Sequence, residues 1–311
     1  MKVFITGGTG FIGSAVIKEL TASGHAVVGL ARSEKSGQTL AALGASAFYG
    51  SLEDSDSLKR GAEAADAVIH LAFVHNFADF AAAGQTDKQA IEALGGALAG
   101  TNKPFIVTSG VPNGENGHVV TENDESGKFS RMSEAAALPF AERGTRVTIV
   151  RPSRFVYDQT LANGFIAALI EIAGQKRVSA YVGNGSNRIH AVNVLDLAKL
   201  YLLALEKGKN GAKYQGVGDS AIAFRDVAEA IGKRLDVPAA SISAERAAEH
   251  FGFLGQIAGA DNPASSEITQ AELGWEPTHS SLFVVYMRRP PAGHVAAKLS
   301  GGNADPETPS L

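Results

Sequence analysis

The sequence contains no cysteine among its 311 residues, which excludes disulfides, thiolate nucleophiles and cysteine-ligated metal. That absence fits a reducing cytosol. No apolar run approaches the roughly 20 residues that span a bilayer, and the apolar start is too short for a signal peptide, so no membrane association is expected. No basic run could track a phosphate backbone, and with a net charge of −4 nucleic acid is not an expected partner. Histidines and carboxylates nowhere show a ligand spacing such as His-Glu-x-x-His, so no metal site is expected. No internal repeat is present. With 45% hydrophobic and 19% charged residues, the chain reads as an ordinary globular, cytoplasmic protein, long enough for one large α/β domain with or without a small one.

The strongest feature that is present lies at residues 3–13. Val3-Phe4-Ile5 reads as a buried strand that stops at Thr6-Gly7, and an apolar stretch with helical spacing (Phe11, Ile12, Ala15, Val16, Leu20) follows at once. Strand, glycine turn and helix in this order make the first half of a dinucleotide-binding βαβ unit. Gly7 supplies the turn, Gly10 lets a pyrophosphate approach the main chain, and Gly13 lets helix and strand pack closely. The helix N-terminus then offers unpaired N–H groups to the anion.

The second strand, 26–30, ends in Ala31-Arg32-Ser33 where an NAD enzyme would carry Asp or Glu for the ribose hydroxyl. Arg32 can fork onto a 2′-phosphate and Ser33 can add a hydroxyl, whereas Glu34 comes too late for the acidic role. The cofactor expected is therefore NADP(H). Further strands follow at 45–49, 66–73, 105–108 and 146–150, separated by helical stretches, the rhythm of a doubly wound parallel α/β sheet. Ligands of such sheets bind outside the carboxyl ends of the strands. His70, in mid-strand among apolar neighbours, is expected to be buried and hydrogen-bonded rather than catalytic.

The spacing Thr6-Gly7-x-x-Gly10-x-x-Gly13 resembles the fingerprint of short-chain dehydrogenases/reductases, in the Gly-Gly-Thr-Gly-Phe-Ile-Gly form of their extended and atypical branches. The resemblance covers roughly residues 1–280 and implies a Rossmann fold with a small C-terminal substrate lobe. Residues 1–155 would form the main dinucleotide-binding part, 156–289 the lobe interleaved with late Rossmann elements, and 290–311 a mobile tail rich in Pro, Gly, Asn and Ser. It also implies a cofactor site made by Thr6, Gly7, Thr9, Gly10, Phe11, Ile12, Gly13, Arg32, Ser33, Leu52, Leu71, Ala72, Phe73, Thr108 and Pro152. Leu52 would wall the adenine, Leu71 to Phe73 would pass under the ribose, and Asp196 would organise the join between lobes. Residues 213–279 read as further helices and short strands of the lobe, with Phe165, Phe251, Phe253 and Leu254 as apolar walls for a small carbonyl or alcohol substrate.

Such enzymes protonate the substrate oxygen with the tyrosine of a Tyr-x-x-x-Lys pair, four apart so that both lie on one helix face. None of the six tyrosines here is followed by Lys four residues later. In the helix expected over 129–138, the tyrosine position falls at Ser130 and the lysine position at Glu134, both expected to face the nicotinamide side of the cleft. Three readings stay open. The chain is an NADPH-dependent carbonyl reductase or alcohol dehydrogenase taking its proton through Ser109, Ser130 or Arg131; or an NADP(H)-binding redox sensor or scaffold without turnover; or an epimerase or isomerase with bound NADP. His75 and Tyr157, just past strand ends, are either further pocket residues or locally bonded loop residues.

Overall fold

The structure, a computed structural model, describes residues 1–74, 79–127 and 132–287. In chain order the first half runs β1 (Lys2–Thr6), α1 (Phe11–Ala22), β2 (Ala26–Ala31), α2 (Glu34–Ala42), β3 (Ser46–Tyr49), α3 (Ser55–Glu63), β4 (Ala67–His70), α4 (Phe80–Leu98), β5 (Pro104–Thr108), α5 (Ser133–Ala137) and β6 (Arg146–Pro152). There follow β7 (Phe155–Tyr157), α6 (Gly164–Lys176), β8 (Ser179–Val182), β9 (Arg188–Asn193), α7 (Val194–Lys207), β10 (Lys213–Gly216), β11 (Asp219–Ala223) and α8 (Phe224–Leu235). The chain closes with β12 (Ala239–Ile242), α9 (Ala247–Phe251), α10 (Gly255–Gly259), α11 (Glu267–Leu273) and α12 (Leu282–Met287).

Seven parallel strands form one sheet in the order β10-β6-β5-β4-β1-β2-β3. Helices cover both faces, as a continuous apolar strand requires. One face packs α1 and α7 around Val16, Ile17, Leu20, Leu200 and Tyr201; the other packs α3, α4 and α5 around Leu58, Ile91, Leu94 and Phe140. Local chemistry sets the helix starts: Asp54 caps α3 through Ser57 N–H at 3.0 Å, and Asn193 caps α7 through Leu195 N–H at 2.9 Å. The doubly wound α/β sheet expected from the strand rhythm is therefore present.

The sheet has a strand that the rhythm did not disclose. Residues 213–216 were expected in the lobe, yet β10 extends the main sheet along β6, and α7 lies against α1. The lobe itself has its own apolar core, in which Phe155, Ile166, Leu169, Phe224, Ile231 and Phe251 meet between α6, α8 and α9. Phe251 and Leu254, expected as substrate walls, are buried in that core; Phe253 is exposed and stacks edge-on with half-buried Phe165 at 6.2 Å. Asp196, in the first turn of α7, accepts from the N–H groups of Thr278 and His279 and meets the His279 ring at 2.7 Å, tying the chain before α12 back to the main sheet.

The second difference concerns α5. The helix expected over 129–138 is described only as the five residues Ser133–Ala137, followed by a 3₁₀ turn at Leu138–Phe140. Pro139 lacks the N–H that a continuing α-helix needs, which ends it there. Residues 128–131, with Ser130 and Arg131, lie outside the described residues, as do His75 and the tail expected from residue 290.

Candidate dinucleotide and substrate site

Sheet order aligns the expected cofactor residues along one edge: Leu52 after β3, Arg32 after β2, Gly7 after β1, Leu71 to Phe73 after β4, Thr108 and Ser109 at β5, and Pro152 at β6. Gly7 takes φ +71°, and a Cβ there would stand 2.7 Å from the Ala72 backbone nitrogen. A Cβ on Gly13 would collide with the Gly7 carbonyl, so this residue holds α1 against the turn. Thr9 at the tip is exposed, while Phe11 and Ile12 open α1 and lean on the core. Gly10 stands at the N-cap of this twelve-residue helix, whose first turn receives no side-chain cap. Its amides therefore remain available to an anion, and the turn fits a dinucleotide pyrophosphate.

At the end of β2, Arg32 is exposed and makes no hydrogen bond or ion pair among the described residues. Glu34, the nearest acid, accepts from the Tyr49 hydroxyl at 2.8 Å. Ser33 has a second duty. Its hydroxyl caps α2 by accepting from Ser36 N–H at 3.3 Å, while the Ser36 hydroxyl accepts from Ser33 N–H at 3.0 Å.

Beneath the glycine turn runs a buried chain of polar groups. The Thr6 hydroxyl meets His70 Nδ1 at 2.8 Å, His70 Nε2 meets Asp87 at 3.1 Å, and the Ser133 hydroxyl donates to the other Asp87 oxygen at 2.5 Å. Ala72 N–H also donates to Thr6 Oγ1 at 3.2 Å, so the threonine hydroxyl is held from two sides. His70 is thus a structural histidine linking β1, β4 and α4, and through Ser133 it fixes α5.

One residue further along α5, Glu134 forms a two-pronged pair with Arg151: Nε to Oε1 is 2.7 Å and Nη2 to Oε2 is 2.8 Å. Both side chains are buried, and Arg151 Nη1 also donates to the Glu122 carbonyl at 3.3 Å. Burial pushes the Glu134 carboxyl up, but hydrogen bonds and charge from Arg151, with Ser109 and Ser126 adding to them, outweigh it and hold the group below its ordinary value. Glu134 was expected to replace lysine as a group facing the cleft. It is instead a neutralised, buried carboxylate. The Ser109 hydroxyl lies beside it, 5% exposed, leaning on the Glu134 carboxylate without a hydrogen bond of ordinary geometry. A hydroxyl held so loosely, two strands over from the glycine turn, is a donor for which a ligand oxygen can compete.

The remaining expected residues divide. Leu52 and Leu71 are half-buried apolar walls packed on the core, and Ala72 and Phe73 are likewise partly accessible. Thr108 spends its hydroxyl on Tyr201 at 2.8 Å, and Pro152 is buried where β6 meets β10. Tyr157 is a lobe residue: its hydroxyl donates toward Asp219 at 3.1 Å and the Ser280 carbonyl at 3.0 Å, and burial followed by the Asp219 charge raises its pKa strongly. Both bonds turn its hydroxyl into the lobe, and the raised pKa makes it a weaker acid than an ordinary tyrosine. A surface hollow of about 670 Å³ along Lys88, Glu92, Met132, Pro139 and Arg143 lies on the outer side of α4 and α5, away from the strand ends.

Sequence reasoning overlooked a second polar group at the same edge. Arg154, just past β6, reaches the loop after β5 and donates to Asn113 Oδ1 at 2.5 Å. Behind it stand His190 of β9 and Asn262. The only signal in the sequence was an arginine two residues beyond the Arg151-Pro152 strand end. Among the described residues no group of three acids and histidines could hold a metal ion, and no helix is long and apolar enough to cross a membrane.

Comparison with known proteins fits this geometry. Residues 7–198 match the family described as NAD(P)H-binding. The chain is 44% identical over 287 residues to an uncharacterized protein of Schizosaccharomyces pombe, covering 91% of this chain and 97% of that one. It is 27% identical over 271 residues to the 4-hydroxy-2-methyl-3-oxo-4-farnesyl-3,4-dihydroquinoline-1-oxide ketoreductase of Stigmatella aurantiaca, covering 81% and 80% of the two chains. Among solved structures, a short-chain dehydrogenase/reductase superfamily protein from Agrobacterium tumefaciens with bound NAD superposes with a TM-score of 0.73 at 20% identity, covering 92% of this chain and 94% of that one.

Proposed function

This chain belongs to the NAD(P)H-binding family within the short-chain dehydrogenase/reductase superfamily, and from that premise we propose that it is an NADPH-dependent reductase of a small carbonyl compound. The observation that carries the reading is the glycine turn into an α1 whose first turn has no side-chain cap, beside an exposed Arg32 with no partner among the described residues. The loosely held Ser109 hydroxyl lies just past β5 on the same edge of the sheet. The dinucleotide, when bound, supplies the hydride. The chain's own residues hold and orient: the α1 amides take the pyrophosphate, Arg32 takes the 2′-phosphate, and Leu71 to Phe73 lie along the ribose side. Ser109 donates a hydrogen bond to the substrate oxygen. A serine hydroxyl is a poor acid by itself, so the proton delivered there is replaced from water. The Ser109 proton, which leans on Glu134 in the free protein, turns to the substrate oxygen, and Arg151, bonded to both Glu134 oxygens, keeps that carboxylate satisfied when it does. Ser130 and Arg131 remain candidates for the same proton path. The kinship with a ketoreductase supports the same direction of reaction.

Oxidation of NADPH against a panel of ketones, aldehydes, quinones and oxo acids tests this reading. Turnover is expected with at least one class, and Ser109→Ala should lower kcat while leaving NADPH affinity nearly unchanged. Full activity in Ser109→Ala removes the serine from the chemistry. A second reading, an NADP(H) sensor without turnover, is favoured by one observation alone: a sealed Glu134–Arg151 pair stands where the catalytic lysine would be. Tight cofactor binding with no turnover on any panel member would select it.

A further inference from the structure

The cation at Arg154 is not balanced by any acid among the described residues. Arg151, three residues earlier, is paired with Glu134, and Arg188 is clamped by Asp261 through contacts of 3.0 and 2.8 Å. Asp261 also accepts from the Arg188 backbone at 2.6 Å, so the acid next to Asn262 is fully used. Arg154 has a neutral partner, Asn113, and no carboxylate among the described residues. Only one of its five donors is occupied by a side chain there. The residue is half-buried.

Its surroundings are built to keep that charge single. Asn262 is fixed from both sides, accepting from Gly114 N–H at 2.6 Å and donating to the Pro112 carbonyl at 3.1 Å. It thereby braces the same loop that presents Asn113. His190, within 3.2 Å of the Asn262 amide, is buried, and that burial together with the Arg154 charge pushes its pKa down to about 3. A histidine kept neutral next to an arginine leaves one positive charge in the pocket. Burial alone pushes the Arg154 pKa down, because no acid offsets it. A desolvated guanidinium with free donors is stabilised by an anion of matching shape, and the forked geometry matches a carboxylate.

We propose that Arg154, braced by Asn113 and Asn262, anchors a carboxylate on the substrate, so that this protein acts on oxo acids rather than neutral ketones. The inference deepens the reductase reading and rests on it for the identity of the reacting carbonyl. Anchoring does not require turnover. The loops after β5 and β6 bring Ser109 and Arg154 to one edge of the sheet, so one ligand can offer its carbonyl to the first and its carboxylate to the second.

The test uses the full chain with NADP⁺ bound and measures dissociation constants by calorimetry for benzoylformate, benzoylacetate and 3-benzoylpropionate, each beside its methyl ester. At least one acid should bind about tenfold or more tightly than its ester. Arg154→Gln should erase that preference while leaving the NADP⁺ dissociation constant unchanged, and Arg154→Lys should keep a reduced preference. Equal binding of acids and esters by the wild type, or no binding of either, overturns the proposal without recourse to a variant. So does a preference that survives Arg154→Gln. A carboxylate preference without NADPH oxidation would defeat the reductase reading and leave the anchor standing; turnover of ketones with no acid preference would do the reverse. If Arg154→Gln lowers kcat equally for an acid and its ester, the arginine polarises the reacting carbonyl, and the anchor is wrong.

Discussion

Glu134 shows what a single side chain can hide. By its place in the chain it stands where a lysine is expected, and from sequence alone it was expected to face the nicotinamide side of the cleft. Its partner lies 17 residues on, across a 3₁₀ turn and the full length of β6, a separation that no local pattern encodes. Removing one member of such a pair leaves the other buried and uncompensated. Glu134→Gln should therefore cost about 3–5 kcal/mol at neutral pH in denaturant unfolding, whereas replacing Glu134 and Arg151 together with methionine should cost much less. The pH dependence follows from the sign. The folded carboxyl lies below its ordinary value, so its contribution is complete above the unfolded pKa and is lost as pH falls through the depressed one. The gap between wild type and Glu134→Gln should narrow in acid; a gap independent of pH would contradict the pairing. Arg32 was legible because its position after β2 is set by distance from the glycine turn. Arg32→Asp should reduce the preference for NADPH over NADH roughly ten- to hundredfold in measured dissociation constants. Equal affinities in the wild type would remove the phosphate role.

At the scale of elements, the glycine turn was readable because backbone geometry dictates residue type there. Its three glycines make separable predictions. A Cβ at Gly10 would sit 3.3 Å from the Gly7 carbonyl, a contact that a small shift relieves. Gly10→Ala should therefore fold with a near-normal melting temperature and lose cofactor affinity, since the methyl group faces the pyrophosphate path. Gly13→Ala meets the same carbonyl far more closely, so it should lower the melting temperature as well as the affinity. Equal effects of the two substitutions on stability would show that the turn does not work as described. Strands buried on both faces, such as β1, β4 and β5, were legible as apolar runs. By contrast β10, Lys-Tyr-Gln-Gly, is an edge strand with little apolar content, and only its pairing with β6 places it in the main sheet. The shortness of α5 was foreshadowed by Pro139, but its anchoring through Ser133 to Asp87 was not.

At the scale of the whole molecule, two apolar cores adjoin at the carboxyl edge of the sheet, and Ser109 and Arg154 stand at that edge. The alternating rhythm of strands and helices was enough to predict that edge. It could not predict that Arg154, His190 and Asn262, drawn from three distant segments, would share a pocket there, because that depends on how β9 and the chain before α11 return to the loop after β5. The central claim is that this arrangement supports hydride transfer without the usual tyrosine and lysine. Its most direct test is isotopic: NADPH carrying deuterium at the transferable position is incubated with the protein and an aryl oxo acid, and the product is examined by mass spectrometry. The account predicts one deuterium in the resulting hydroxy acid, at a rate above the cofactor's own decay. Saturating NADPH binding with no label in any product, across acids and neutral ketones alike, would contradict it.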